Sequence, residues 1–117
     1  MHEVSLMQST LSVALTHVQA QGGSQIHRLE LHVGELSGVV PEALAFAFNV
    51  VSAGTVAQGA ELRLKTVPVL CYCDRCQQVF HPASEINRWI YECPECHNIS
   101  TDIRQGKDLE LASLEIS

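Results

Sequence analysis

The sequence predicts an α+β fold, a small sheet packed with two helices, plus an inserted four-cysteine domain. Three observations support this prediction. Two segments have the apolar spacing of amphipathic helices, three others alternate as half-buried strands do, and all five cysteines fall within residues 71–96. A chain of 117 residues is long enough for one such core together with a smaller module.

The first predicted helix spans residues 4–18, where apolar side chains recur at intervals of three and four residues. One face of the helix should therefore be buried. Gly22 and Gly23 follow and are expected to end it, because glycine readily adopts the left-handed conformation found after helix C-termini. The apolar positions are Val4, Met7, Leu11, Ala14 and Val18.

The second predicted helix runs from Pro41 to Ala53, after a turn bracketed by Gly34 and Gly38. Proline suits a first helical turn because its missing N–H would have no partner there. Apolar residues cover much of the helix circumference, so the helix is expected to be sandwiched between the sheet and the first helix. These residues are Leu44, Phe46, Phe48, Val50 and Val51.

Alternating residues predict strands at 28–33, 61–65 and 109–116. In the last strand the alternation changes phase near Ala112, which indicates a β-bulge. This strand is expected to return to the first sheet, so the cysteine-rich segment would be an insertion. The predicted domains are an α/β core formed by residues 1–69 and 105–117, and a cysteine domain formed by residues 70–104.

The amino-acid composition and charge of the chain argue against several classes of function. Hydrophobic residues make up 46% of the chain and aromatic residues 5%, which is typical of a globular protein with an aliphatic core. The formal net charge of -6 argues against a nucleic-acid partner held through its phosphates. The apolar stretches are too short for a membrane span and no secretion signal is evident, so a cytoplasmic location is expected.

The cysteines form two pairs with zinc-site spacing. Two residues separate the cysteines within each pair, and sixteen residues lie between the pairs. Four thiolates complete a tetrahedral shell, so the sequence predicts a structural zinc(II) ion in a zinc-ribbon-like domain; iron is the alternative metal. The predicted ligands are Cys73, Cys76, Cys93 and Cys96.

Two neighbouring residues are expected to lie outside that shell. Cys71 comes two residues before the first pair, and we expect it to be a spectator. His97 follows Cys96 directly and is expected near the ligands or in solvent.

The first three residues, Met1, His2 and Glu3, form a second candidate metal site. The terminal amine, the His2 backbone nitrogen and the His2 imidazole can close two adjoining chelate rings on one ion. Such nitrogen donors suit square-planar nickel(II) or copper(II) better than tetrahedral zinc. Histidine is bulky, so Met1 is expected to be retained and His2 to stay in second place.

These features coincide with three further motifs: Gly-Glu-Leu-Ser at 34–37, Pro-Glu-Ala-Leu at 41–44 and Leu-Glu-Leu at 109–111. Together with the terminal Met-His-Glu and the cysteine pairs, they make the chain resemble the HypA/HybF family of hydrogenase-maturation nickel chaperones from end to end. The resemblance implies a non-enzymatic metallochaperone. It also implies delivery of nickel(II) to a [NiFe]-hydrogenase large-subunit precursor, in cooperation with the maturation GTPase HypB.

The resemblance also implies site residues. The nickel ligands would be the His2 imidazole and backbone nitrogen, the Met1 amine, and Glu3 through its backbone nitrogen or carboxylate. Val40 aligns with an acidic residue that approaches the nickel in some relatives, and valine cannot take that role. Glu42 is therefore a candidate nickel ligand in its place. Glu35 is expected to be solvated. The zinc ligands would be Cys73, Cys76, Cys93 and Cys96.

Other functions stay open at this stage. A zinc-ribbon nucleic-acid module would share the cysteine spacing, but cations near the cysteines are few and mixed with acids. A zinc-stabilised adaptor would bind nickel only incidentally. An enzyme is not expected, because no nucleophile–base motif is recognisable. Surface positions are expected for the remaining histidines, which are His17, His27, His32 and His81.

Overall fold

The computed structural model describes residues 2–82 and 91–117. Two helices and six strands follow one another along the chain, and neither helix in these ranges is long and apolar enough to cross a membrane. The elements are α1 (Glu3–Ala20), β1 (Ile26–Gly34), α2 (Pro41–Ser52), β2 (Glu61–Val67), β3 (Leu70–Cys73), β4 (Gln78–Phe80), β5 (Ile103–Gln105) and β6 (Leu109–Ile116).

The chain divides into two compact units. The core unit comprises Met1–Val33, Val39–Lys65 and Leu109–Ser117. The cysteine unit comprises Gly34–Gly38 and Thr66–Asp108. The predicted division into a nickel-binding core and a zinc-binding domain stays a prediction, since compactness does not identify a bound metal.

The first helix buries the face that its spacing predicts. Met7, Leu11, Ala14 and Val18 all lie in the core, whereas Val4 is 46% exposed and its predicted burial was wrong. The helix ends in a Schellman motif: Gly22 has a φ of +68°, its N–H donates to the Gln19 carbonyl, and the Gly23 N–H donates to the Val18 carbonyl at 2.8 Å. Glycine therefore ends this helix as predicted.

The second helix buries only one face, so the prediction that it is sandwiched on both sides was wrong. Leu44, Ala47 and Phe48 face the core, and α2 packs against α1. On the opposite face, Phe46 is 69% exposed and Val50 is 55% exposed. When apolar residues surround a helix, the sequence does not show which of them face the core. Here the core covers only one side of α2.

The core unit contains a three-stranded sheet in the order β2-β1-β6, so the last strand returns to the first sheet as predicted. On β1, alternate residues Leu29, Leu31 and Val33 are buried. In the antiparallel pairing of β1 with β6, Glu30 lies opposite Ser113 and Leu31 lies opposite Leu111. Ala112 is therefore the extra residue of a bulge, at the position where the alternation changes phase.

The cysteine unit contains a second three-stranded sheet, in the order β4-β3-β5. The turn at Gly34–Gly38 belongs to this unit because its backbone bonds to distant segments of the chain. The Glu35 N–H donates to the Val67 carbonyl at 2.9 Å, and the Leu36 N–H donates to the Gly106 carbonyl at 2.7 Å. The Gly-Glu-Leu-Ser motif thus connects segments that are distant in sequence.

Substitution Gly34→Ala is expected to destabilise this turn. A methyl group on Gly34 would lie 2.5 Å from the carbonyl carbon and oxygen of Gly106, which are backbone atoms that cannot swing aside. We expect a loss of about 1–3 kcal/mol in the free energy of unfolding, measured by denaturant titration. Gly38→Ala is the matched control, because a methyl group there meets open space and only the φ of +77° opposes it. Equal losses in the two variants would contradict the steric explanation.

Candidate functional site

Two tight turns of the same construction bring the four cysteines together. In the first, Cys73 pairs with Gln78 across the start of the β3–β4 hairpin. In the second, the Cys93 N–H donates to the Asn98 carbonyl at 2.9 Å. Each turn therefore joins a first cysteine to the residue five positions later, with the second cysteine between them.

In both turns the residue after the second cysteine is left-handed: Gln77 has a φ of +54° and His97 a φ of +64°. Non-glycine residues seldom adopt this conformation, so the surrounding structure must hold them there. The two Cys-x-x-Cys pairs are evident from the sequence, whereas the shared backbone conformation was not predicted from it. The signal was present in the repeat itself, Cys-Asp-Arg-Cys-Gln-Gln at 73–78 and Cys-Pro-Glu-Cys-His-Asn at 93–98.

The four sulfur atoms fit a tetrahedral metal ion. The Sγ atoms of Cys73 and Cys96 are 3.5 Å apart, those of Cys76 and Cys93 are 3.8 Å apart, and all four lie within 4.8 Å of one another. A zinc–sulfur distance of about 2.3 Å requires sulfur–sulfur separations of about 3.8 Å in a tetrahedron. Every cysteine is a free thiol. The group therefore has the composition and spacing of a four-thiolate metal site.

The surroundings of these thiols favour partial ionisation without metal. The Cys76 backbone N–H donates to Cys73 Sγ and, as the largest cause, lowers the pKa of Cys73 to about 7. The neighbouring thiols, Cys96 first, raise the pKa of Cys76 to about 12. Four convergent sulfurs cannot all carry negative charge unless a cation compensates them.

Cys71 and His97 lie outside the group of four, as expected. Cys71 is fully buried on β3, packs in the apolar cluster of the cysteine unit, and has a pKa raised chiefly by burial. His97 has a side chain that is 73% exposed, and its Nδ1 lies 3.1 Å from Glu92 Oε2. Among the described residues, Cys73, Cys76, Cys93 and Cys96 form the one group of three or more potential ligands with this proximity.

At the N-terminus, the structure places His2 immediately before α1. Its side chain is exposed and makes no capping hydrogen bond to the helix. The His2 carbonyl accepts a hydrogen bond from the Leu6 N–H at 2.8 Å, which fixes its backbone to the first turn. Glu3 is the first helical residue, and Met1 lies outside the described residues. The His2 side chain is thus exposed while its backbone is attached to a helix.

All three residues considered near the predicted nickel site are exposed. Val40 precedes α2 as its N-cap and makes no side-chain capping bond, while Glu42 lies exposed in the first helical turn. Glu35 is exposed, in agreement with the expectation that it is solvated, and its Oε1 also accepts a hydrogen bond from the Val69 N–H at 3.1 Å. Glu35 therefore supports the fold of the cysteine unit through a residue 34 positions away, a contact that sequence spacing gives no means to predict.

The remaining histidines lie at or near the surface and each contacts the protein differently. His27 Nε2 lies 2.7 Å from Ser117 Oγ, and His32 Nε2 lies 3.0 Å from Glu30 Oε2. His81 Nδ1 lies 2.9 Å from the Val69 carbonyl, whereas the exposed His17 lies in the last turn of α1. None of them joins a cluster of metal-ligating side chains in the part of the chain that the structure describes.

Comparison with known proteins identifies the family. Residues 1–116 match the family model described as hydrogenase/urease nickel incorporation, metallochaperone, HypA. The chain belongs to the HypA family. A hydrogenase maturation factor HypA from Picosynechococcus sp. is 45% identical over 116 residues, covering 99% of both chains. Another, from Roseiflexus sp., is 38% identical over 115 residues, covering 98% of this chain and 91% of the relative.

Solved structures agree with this assignment. The solution structure of the Ni metallochaperone HypA from Helicobacter pylori superposes with a TM-score of 0.70 at 29% identity, covering 99% of this chain and 97% of that one. HypA proteins are metallochaperones for nickel incorporation in hydrogenase maturation and are not enzymes. The predicted family, the α+β fold with a zinc-ribbon-like cysteine site and the non-enzymatic role are therefore confirmed.

Proposed function

We propose that this chain binds nickel(II) at its N-terminus and delivers it to a [NiFe]-hydrogenase large-subunit precursor. The observation that supports this most directly is the match to a nickel-incorporation family over residues 1–116, a range that includes the Met-His-Glu start. The exposed imidazole of His2 is consistent with it, since a cargo site must be reachable by a receiving protein. The proposed ligands are Met1, His2 and Glu3.

The position of the proposed site suits transfer. A few nitrogen donors at the end of the chain leave the ion open to solvent and to an incoming ligand, unlike a closed shell of four thiolates. The first-turn hydrogen bond to the His2 carbonyl holds the His2 backbone at the start of α1. A partner that contacts α1 would therefore meet the cargo at a defined position.

We further propose that the four cysteines hold a structural zinc(II) ion. Their number, chemistry and sulfur–sulfur separations fit tetrahedral zinc, and four thiolates leave no position for cargo exchange. The resident ion would stabilise the cysteine unit, while nickel is the transferred cargo.

Acid is expected to weaken zinc binding. Cys76, with a pKa of about 12 without metal, holds a proton that zinc must displace, and Cys73 also becomes protonated below its pKa of about 7. Each displaced proton makes affinity fall about tenfold per unit decrease in pH. Competition with a chromophoric chelator at pH 7.5, 6.5 and 5.5 measures this dependence. An affinity that stays constant over the range would contradict the proton competition.

The proposed partners are the maturation GTPase HypB, acting with the chain, and the large-subunit precursor, receiving the nickel. Delivery is tested in a host whose own gene for this protein has been deleted. Wild-type chain should restore nickel incorporation into the large subunit, and His2→Ala should not. His17→Ala, which changes an exposed histidine elsewhere on α1, should restore incorporation fully. Restoration by His2→Ala at wild-type levels would show that delivery does not use the N-terminal site.

A further inference from the structure

The outer face of α2 is an exposed apolar surface that the proposed nickel and zinc sites do not use. Its exposed helical positions are Glu42, Phe46, Asn49 and Val50, on the side opposite the buried residues Leu44, Ala47 and Phe48. Large exposed apolar side chains that lie next to one another, with few charges around them, are typical of interaction sites. Phe46 and Val50 are one helical turn apart and form the centre of this surface.

Charge is distributed unevenly around this surface. The core unit has three Lys or Arg residues, and all of them lie on β1 and β2. The two helices contain no Lys or Arg, and their only acidic residues are Glu3 and Glu42. The two helices thus carry acidic and apolar residues but no Lys or Arg. The cations are Arg28, Arg63 and Lys65.

The charge and the size of this surface distinguish between two possible binding partners, a second copy of the chain and a basic protein. A second copy of the chain would bring another net charge of -6 and no helical cation to meet Glu42. The surface is also small for a stable homodimer, since a buried aromatic side chain contributes about 150–250 Å² and a stable interface needs about 800 Å² per partner. A basic partner, in contrast, is attracted by the net charge and can place a cation beside Glu42.

We infer that the outer face of α2 docks a partner segment that is apolar on one side and carries Lys or Arg at its edge. The apolar side covers Phe46 and Val50, and a cation pairs with Glu42. The contact area is small, so binding is expected to be weak and reversible. The inference goes beyond the proposed nickel delivery and does not depend on which residues bind nickel.

The test uses isotopically labelled, zinc-loaded full chain and two synthetic helical peptides of 18 residues. One peptide is built from Leu and Lys, and its twin has Glu in place of every Lys. The Leu/Lys peptide should produce saturable shifts in the amide resonances of α2, and the Leu/Glu peptide should not. Phe46→Ser and Val50→Ser should each weaken binding, by about tenfold for the phenylalanine. Val13→Ser, which changes a 50% exposed valine on α1, should leave binding unchanged.

Three results would overturn the inference. Absence of binding, or equal affinity of the Leu/Lys peptide for wild type, Phe46→Ser and Val50→Ser, would show that the surface has no such role. Binding of both peptides would remove the charge requirement. Sedimentation of the wild type as a dimer that Phe46→Ser dissociates would assign the surface to a second copy instead. Nickel titration of Phe46→Ser should match the wild type, which separates this inference from the nickel proposal.

Discussion

Substitution Cys73→Ser is expected to remove zinc and to unfold the cysteine unit while the core unit stays folded. Among the residues that the structure describes, the apolar cluster of the cysteine unit has six buried members, and three of them are cysteines: Cys71, Cys73 and Cys93. We expect the metal to supply most of this unit's stability, because its four ligands join two separate turns and binding in comparable small zinc modules supplies about 10–16 kcal/mol. The core unit has twelve buried members in its own cluster and does not depend on these thiols.

Cys71→Ala is the matched control for this prediction. Cys71 is also a cysteine on β3 and is as fully buried as Cys73, but it lies outside the group of four sulfurs. We expect it to keep one zinc per chain and to lose about 1 kcal/mol of stability. Elemental analysis gives the metal content, and amide resonance dispersion shows which unit is folded. A folded cysteine unit in Cys73→Ser without zinc would refute the structural role of the metal.

Substitution His2→Ala is expected to lower nickel affinity at least tenfold, equivalent to about 1.4 kcal/mol, because the chelate loses its imidazole. The zinc content should not change, since His2 is not part of the four-cysteine group. Isothermal titration of nickel(II) into tag-free, zinc-loaded protein measures the effect. His17→Ala is the matched control, because His17 is exposed on the same helix near its other end.

Addition of one residue before Met1 separates the roles of the terminal amine and the imidazole. If the amine is a ligand, the extension weakens nickel binding while His2 is still present. Unchanged affinity in the extended chain would exclude the amine but keep the imidazole. Equal nickel affinity in wild type and His2→Ala would mean that the N-terminal site is wrong.

Local sequence patterns were sufficient for most of the secondary structure and for the four-cysteine group. Helical spacing identified the buried Met7, Leu11 and Ala14, and a change of strand phase identified the bulge at Ala112. Both are local effects, because side-chain direction repeats every 3.6 residues in a helix and every two residues in a strand. The cysteine pairs are similarly informative because metal geometry restricts their spacing.

Tertiary structure decided features that depend on residues distant in the chain. The exposure of Phe46 follows from how much of α2 the core unit covers, which its apolar composition does not reveal. The bond from the Val69 N–H to Glu35 joins the turn to the segment just before β3, 34 residues further along the chain. The common conformation of Gln77 and His97 likewise occurs in turns that are closed by backbone pairing, by the β3–β4 ladder in the first case and by the Glu92–Ile99 bridge in the second. Sequence determined the elements and the ligand types; packing determined which faces stay exposed, because burial depends on all neighbours together.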